Sequence, residues 1–398
     1  KACMLKIHET GGKITTVSGD MAGTWGYAAE LKENHAAVWA RAYAQKGSPP
    51  GEVFVPNRHL DLFEKLPVGG ITNGMSGRNQ ADQLPELQAH VLKKIQRERG
   101  KARPLFQNPV TQARMLARNH TFDLNHLPVK QELKRLLHLE AFGFEPRHDP
   151  ILITIVGRLV DQKNFGLAAG ILEWVLRFDG GVKFIILASA PEGDPFRMAK
   201  EADFFRLASW YPDRVYFNNT FNLPLSKLIL AGGDFTLIPS RFEPCGLVDY
   251  EASLLGNIVI GRATGGLTKV RHCAYLYEWL DISDWHGEAH AFFRCIEDAI
   301  LTYRRDPGRH AAMIRAAMSI RADWSESAGQ YVDMYRYGYM AKQWRKRREA
   351  LISDFAGSLD EDRVLFDTFF IPAREEYGDA FDWELKAALA EKRTDNDS

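Results

Sequence analysis

Residues 151–188 read ILITIVGRLVDQKNFGLAAGILEWVLRFDGGVKFIILA, and this stretch decides the fold. Its two apolar runs, 151–156 and 183–188, are too short for helices and predict buried strands. Between them, residues 165–178 carry apolar side chains at helical spacing. A strand, a helix and a second strand in this order predict parallel strands with a helix packed on one face.

The same alternation continues along the chain and predicts one α/β fold. Apolar runs predict further strands at 215–217, 235–239 and 258–261, and helical spacing predicts helices at 196–210, 225–231 and 248–255. Short strands buried on both faces that alternate with helices form a doubly wound parallel sheet. Ligands bind such a sheet beyond the carboxyl ends of its strands, so we expect functional residues directly after each strand.

Weaker patterns flank this core. Residues 13–18 and 66–74 predict two more strands, the second of which ends in an Asn-Gly turn. Leucines at three- and four-residue spacing predict helices within 83–143, and residues 291–345 are also helical in pattern. Residues from about 346 onwards mix helical and acidic segments.

Composition limits the partners and the compartment. The 398 residues carry 51 Lys and Arg and 51 Asp and Glu, so bulk positive charge that could bind nucleic acid or an anionic membrane is missing. The four cysteines show no paired spacing, and no apolar stretch reaches the roughly 18–20 residues of a spanning helix. We therefore expect a cytoplasmic protein with no membrane or nucleic-acid partner.

The loop after the first strand of the core carries two cations. Arg158 and Lys163 stand five positions apart at the carboxyl end of the strand and before a helix. An Arg fork and a Lys point charge can converge on a diphosphate. A solvent-facing loop, where cations are common, explains the same pair.

The loop after residues 235–239 carries more residues that could contact a ligand than the first loop does. Gly246 and Leu247 precede a helix, where free backbone N–H groups favour an anion, and Glu243 can accept hydrogen bonds from sugar hydroxyls. Alternatively, Glu243 is only a charge that suits the helix N-terminus. Cys245 is better explained as a small buried residue than as a nucleophile, because no cysteine catalytic pair is evident.

A third loop carries paired glycines. Thr264, Gly265 and Gly266 follow the strand at 258–261, and glycines there allow close backbone approach to a ligand, although a tight turn uses the same residues. Three ligand-type loops at the correct ends of three strands favour one common site.

Several of these motifs together resemble the bacterial glycogen synthases and plant starch synthases. The segment IPSRFEPCGL at 238–247 resembles the signature of that family, and the loop from Gly157 to Lys163, the TGGL at 264–267 and the ITNG at 71–74 are similar to further family motifs. The similarity covers roughly residues 10–30 and 65–340. It implies a GT-B fold and the retaining transfer of glucose from ADP-glucose or UDP-glucose to an α-1,4-glucan, without a metal or other cofactor.

The resemblance assigns roles to individual positions. Arg158 and Lys163 would neutralise the diphosphate as it leaves, and Glu243 would position the glucose. The resemblance also implies donor contacts for a further set of residues, which comprises Asn73, Phe221, Cys245, Gly246, Leu247, Thr264, Gly265 and Gly266. Phe221 stands where the family stacks a tyrosine on the nucleobase, although a core aromatic is the alternative.

The resemblance also predicts domains and departures. We divide the chain into a remnant of an N-terminal GT-B domain with its linker (1–70), a Rossmann-like nucleotide-sugar-binding domain (71–340) and a helical, acidic tail (341–398). Val248 replaces a family threonine, and the first-domain motifs are missing. We therefore expect a donor-binding half that is inactive alone and needs the missing domain or a partner chain. Another retaining GT-B transferase, or a non-catalytic nucleotide-sugar or glucan-binding module, remains an alternative.

Overall fold

A computed structural model describes ten segments of the chain, with gaps between them. They are residues 14–19, 26–32, 68–75, 127–146, 148–189, 195–220, 222–279, 284–322, 324–336 and 339. The described residues between Ile14 and Ser327 form one compact unit, and those from Ala328 onwards belong to a second. Every site discussed below lies in the first unit. The division of the chain at residues 70 and 340 stays a prediction.

A six-stranded sheet forms the centre of the first unit, and all of its recorded pairings are parallel. In chain order its strands are β3 (Ile151–Arg158), β4 (Val182–Ser189), β5 (Val215–Asn218), β6 (Phe235–Ile238), β7 (Ile258–Arg262) and β8 (Tyr275–Tyr277). Apolar side chains fill both faces, and the whole of β6 and β7 is buried. The predicted doubly wound α/β fold is confirmed.

Helices cover the sheet along the chain. Their bounds are α2 (Leu127–Phe142), α3 (Phe165–Phe178), α4 (Pro195–Trp210), α5 (Leu223–Gly232), α6 (Val248–Leu254), α7 (Trp285–Arg305) and α8 (Pro307–Met318), after a short α1 (Gly26–Lys32). Helix α3 has the predicted bounds because eight of its residues, at helical spacing, are buried.

The strand order is β5-β4-β3-β6-β7-β8, so the chain leaves one half of the sheet after β5 and returns beside β3. Ligands of doubly wound sheets bind at this reversal, in the crevice beyond the carboxyl ends of the two central strands. Here those strands are β3 and β6, and the loops that follow them carry the charged residues singled out from the sequence.

A small parallel pair, β1 (Ile14–Thr16) and β2 (Val68–Gly70), accompanies the main sheet within the same unit. Both strands were predicted, and they are shorter than the patterns at 13–18 and 66–74. Helix α1 packs against the 3-10 segment Gly265–Cys273, which follows β7. Both elements therefore lie near the third predicted loop.

Two features differ from the sequence patterns. The patterns missed β8, because a three-residue strand is too short to show alternation. The helical pattern over 291–345 divides at Asp306, whose side chain accepts a hydrogen bond from Arg309 N at 2.9 Å and caps α8 while Pro307 occupies its first turn. Residues 324–336 are again helical.

At the amino end of the sheet, opposite the predicted site, a buried lysine forms ion pairs with two aspartates. Lys134 Nζ lies 2.9 Å from Asp234 and 2.8 Å from Asp149, and it donates to the Tyr303 hydroxyl at 2.9 Å. Asp234 raises the pKa of Lys134 although burial opposes it. This pair stabilises the fold far from the switch point.

Candidate functional site

Arg158 is the last residue of β3 and pairs with Ser189 on β4. Its side chain is exposed, whereas the next residue, Leu159, is buried and donates its N–H to Ser189 O at 2.8 Å. No ion pair or hydrogen bond of the guanidinium is recorded within the part of the chain that the structure describes. Arg158 is thus an unbalanced cation at the carboxyl end of the central strand.

Lys163 is placed by a tight turn. Residues Asp161–Lys163 form one 3-10 turn, and Asn164 follows with a φ of 52° before α3 begins. Among the described residues outside glycine, Asn164 alone adopts positive φ, a conformation that asparagine tolerates better than most side chains. This turn directs the chain away from β3 and brings Lys163 towards the loop after β6.

The structure brings Lys163 and Glu243 together. The Lys163 ammonium forms an ion pair with Glu243 Oε2, and the Ser240 hydroxyl donates to the same oxygen at 3.1 Å. The Glu243 side chain is 7% exposed. Both contacts involve Oε2, which leaves Oε1 without a partner among the described residues. Glu243 therefore keeps one oxygen able to accept a further hydrogen bond.

Two hydrogen bonds join the loop after β3 to the loop after β6. Arg241 N donates to Gln162 O at 2.9 Å, and Gln162 Nε2 donates to Phe242 O at 3.2 Å. The loop after β3 and the loop after β6 are thus joined at Gln162, next to the Lys163–Glu243 contact. Their charged groups have little freedom to separate.

The turn before α6 presents backbone N–H groups. Gly246 has a φ of +71°, and a Cβ there would lie 2.8 Å from Asp249 Oδ1, so glycine suits the position. Leu247 follows at the start of α6 with its side chain 45% exposed. Neither N–H has a recorded acceptor among the described residues. Val248, the first residue of α6, offers no hydroxyl there.

The third loop touches the second. Gly266 N donates to Glu243 O at 2.6 Å, and a Cβ on Gly266 would lie 2.5 Å from Cys245 Cα and closer still to its carbonyl oxygen. Gly265 has positive φ, and Thr264 is buried beside it. The paired glycines were predicted to allow approach to a ligand, and in the structure Gly266 allows approach to the neighbouring loop. The segment continues as a 3-10 helix rather than an open loop.

The strands β1 and β2 also reach the site. The Ser18 hydroxyl donates to Pro244 O and accepts from Tyr27 N at 3.0 Å. Asn73 donates its N–H to Val17 O at 3.1 Å, and its backbone contacts the Cys245 thiol. Burial raises the pKa of that thiol, which suits a packed cysteine and not a nucleophile. Phe221 lies outside the described residues.

Sequence patterns missed one buried pair at the centre of the site. Lys269 forms an ion pair with Asp249, and both side chains are almost fully buried. Burial raises the pKa of Asp249 although Lys269 opposes the shift. A lysine in a polar segment such as Lys269 is typical of a solvated surface. Its partner Asp249 lies 20 residues earlier in the chain, and no local pattern links the two residues.

Together these groups form a surface suited to a negatively charged ligand that also carries hydroxyls. Arg158 supplies an unbalanced cation, Lys163 a partly accessible ammonium, and the turn at 246–247 adds N–H donors, while Glu243 supplies an acceptor. Within the described segments, no three His, Cys, Asp or Glu side chains cluster closely enough to hold a metal ion. Nor is any described helix both long and apolar enough to cross a membrane.

Comparison with known proteins relates this domain to curated enzymes. A glycogen synthase of Aeromonas salmonicida is 34% identical over 229 residues, which are 54% of this chain and 43% of that protein. A glycogen synthase of Moorella thermoacetica is 32% identical over 248 residues, 61% of this chain and 47% of that protein. The chain thus spans less than half the length of these relatives. No family model matches it.

A solved structure supports the fold. The catalytic domain of starch synthase IV from Arabidopsis thaliana, bound to ADP and acarbose, superposes with a TM-score of 0.54 at 24% identity, and the match covers 82% of this chain and 55% of that one.

Proposed function

We propose that the parallel-sheet domain of this chain, which is similar in sequence to glycogen synthases, binds a nucleotide-sugar donor and takes part in glucose transfer. The reaction is the transfer of glucose from ADP-glucose or UDP-glucose to an α-glucan, with retention of configuration. One observation supports this most strongly. Lys163 and Glu243 are in contact at the switch point between β3 and β6, and Arg158 is the last residue of β3.

The proposed roles follow from charge and exposure. Arg158, exposed and unpaired among the described residues, contacts the donor diphosphate as a bidentate fork. The Lys163 ammonium uses one hydrogen for Glu243 and directs the others at the same phosphates. When the bond between glucose and diphosphate breaks, negative charge grows on the phosphate oxygens, and both cations stabilise it.

The sugar is oriented by the free oxygen of Glu243. Its Oε2 is occupied by Lys163 and Ser240, so Oε1 accepts a hydrogen bond from a glucose hydroxyl. The N–H groups of Gly246 and Leu247 face the diphosphate, and Asn73, whose backbone contacts Cys245, lies at the sugar end. The role of Phe221 at the nucleobase stays a prediction. ADP is the first nucleotide to test, because the starch synthase structure contains it.

Calorimetric titration of the chain with ADP, UDP and their glucose conjugates tests the proposal. We expect binding by wild type and a loss of about 1–3 kcal/mol in Arg158→Ala, the size of one hydrogen bond to a charged group. Arg294→Ala is the matched control, because Arg294 is an exposed arginine on α7 that pairs only with nearby Glu297. A wild-type chain that binds none of the four ligands would overturn the proposal.

A further inference from the structure

The Lys269 ammonium is surrounded by oxygens from two different loops. It donates to Cys245 O, to Gly246 O at 3.0 Å and to Gly266 O at 3.1 Å, and it forms the ion pair with Asp249. Three of these four acceptors belong to the segment from Cys245 to Asp249, and the fourth belongs to the loop after β7. One side chain therefore ties the second loop of the site to the third.

Lys269 cannot itself touch a ligand. Its side chain is 3% exposed and that of Asp249 is not exposed at all, and the Tyr250 ring lies 4.4 Å from the ammonium. The pair is also neutral as a whole, so it adds no net charge to the site. Any influence of Lys269 on an anionic ligand must act through the positions of the backbone atoms that it bonds.

Those backbone atoms belong to the segments that carry the proposed donor contacts. Gly246, whose carbonyl Lys269 bonds, also carries one of the two proposed N–H donors, and Gly266 N donates to Glu243 O at 2.6 Å. Without an ammonium at this point, three carbonyl oxygens and the Asp249 carboxylate would face one another in a space closed to water. Like partial charges repel strongly there, and unpaired buried acceptors are costly, so the loops would separate.

We propose that Lys269 is a positioning residue for donor binding, which sets the distance between the Glu243–Leu247 loop and the Thr264–Gly266 loop. This inference rests on the proposed function, because it concerns the affinity of the same site for a nucleotide diphosphate. It adds a residue pair, Lys269 and Asp249, that supplies no ligand contact.

The test compares Lys269→Met with Lys134→Met. Lys134 is a matched control because it is also a buried lysine paired with an aspartate, at the opposite end of the sheet. The double variant Lys269→Met/Asp249→Asn removes the carboxylate that would otherwise be left unpaired, so it keeps the test usable if the single variant does not fold. Two quantities are measured on each folded protein: backbone hydrogen exchange without ligand, and ADP affinity at two salt concentrations.

We expect faster exchange at 243–247 and 264–267 in the Lys269 variants, and ADP affinity about tenfold weaker, comparable to the loss of one charge-assisted hydrogen bond. The dependence of affinity on salt should match wild type, because no phosphate contact is removed. Lys134→Met should lower the stability of the protein. Hydrogen exchange at 243–247 and 264–267 and the affinity for ADP should stay unchanged in this variant.

Two results would overturn the inference: unchanged exchange in both loops, or faster exchange with unchanged ADP affinity, which would make Lys269 merely structural. A wild-type chain that binds no nucleotide is a different failure. It removes the proposed function, and the positioning role with it, before any variant is compared.

Discussion

The Lys163 ammonium contacts the Glu243 carboxylate across 80 residues of sequence, at the point where the chain reverses its direction across the sheet. Lys163 lies in the loop that follows β3, and Glu243 lies in the loop that follows β6. The charges of this pair offset each other, whereas Arg158 at the end of β3 has no recorded partner among the described residues. Its positive charge is therefore not balanced locally, although the chain as a whole carries no formal charge.

Substitution of Lys163 should lower the free energy of unfolding more than substitution of Glu243 does. Lys163→Met leaves the buried Glu243 carboxylate with Ser240 as its remaining recorded partner, and we expect the free energy of unfolding to fall by about 2–4 kcal/mol. Glu243→Gln keeps the side-chain shape and the Ser240 bond, and we expect a loss of about 1 kcal/mol. Urea denaturation measures both. Equal losses would show that burial of the carboxylate is not what makes the lysine necessary.

Gly266→Ala should separate two loops of the site. The new methyl group would lie 2.5 Å from Cys245 Cα, a backbone atom that cannot rotate away. We expect a loss of stability of about 1–3 kcal/mol from overpacking, together with weaker ADP binding. Gly180→Ala is the control, because nothing lies within 4 Å of its Cβ position. Thermal unfolding and ADP titration that match for the two variants would contradict the observed approach of the loops.

Ser18→Ala should report the contact between the β1 segment and the donor loop. Ser18 is fully buried, donates to Pro244 O and accepts from Tyr27 N, so the variant removes both hydrogen bonds from a buried position. We expect a loss of about 1–3 kcal/mol in urea denaturation. Ser209→Ala removes only an exposed bond within α4 and should change stability by less than about 0.5 kcal/mol. A neutral Ser18 variant would mean that this segment does not pack as described.

His138 should make stability depend on pH. Burial, which is the main cause, together with the nearby Lys183, lowers the pKa of His138 from 6.5 to about 4. The unfolded chain then binds more protons than the folded one between these values, so the free energy of unfolding falls as pH decreases from 6.5 towards 4. The contribution is complete above pH 6.5 and amounts to about 1–3 kcal/mol.

His138→Asn should flatten this dependence. An amide can still donate to Phe144 O, which the imidazole Nδ1 does at 2.9 Å, but it does not titrate in this range. Unfolding free energies at pH 7.5, 6 and 5 should decrease less in the variant than in wild type. His148→Asn, at an exposed histidine, should keep the wild-type profile. Some slope should remain in His138→Asn, because burial also lowers the pKa of His310.

Local pattern predicted five of the six strands of the main sheet and the loops that follow them, but it missed the short β8. The apolar runs at 151–156, 183–188 and 235–239 correspond to buried strands because such runs have no polar face to expose to solvent. Since parallel strands end at one edge, the sequence also placed Arg158, Lys163 and Glu243 at a common edge.

The contacts between loops were beyond the reach of local pattern. Whether Lys163 faces Glu243 depends on a left-handed Asn164 and on hydrogen bonds between residues 80 positions apart. Lys269 has the local signature of a surface lysine, and its burial comes from packing against the turn before α6 and against Asp249 and Tyr250 on that helix. Residue type and spacing indicate the chemistry of single loops, whereas their mutual geometry arises from tertiary packing.

The strand order also has a consequence for when the candidate site forms during synthesis. The segment from β3 to β5 contains Arg158 and Lys163. One edge of β3 has no strand partner until β6 pairs with it. A nascent chain that extends only to Asn218 therefore contains Arg158 and Lys163 but not Glu243, the partner of Lys163. Under the proposed function, the diphosphate site is complete only once β6 and the loop after it have packed beside β3, so bound nucleotide would favour the fully folded domain.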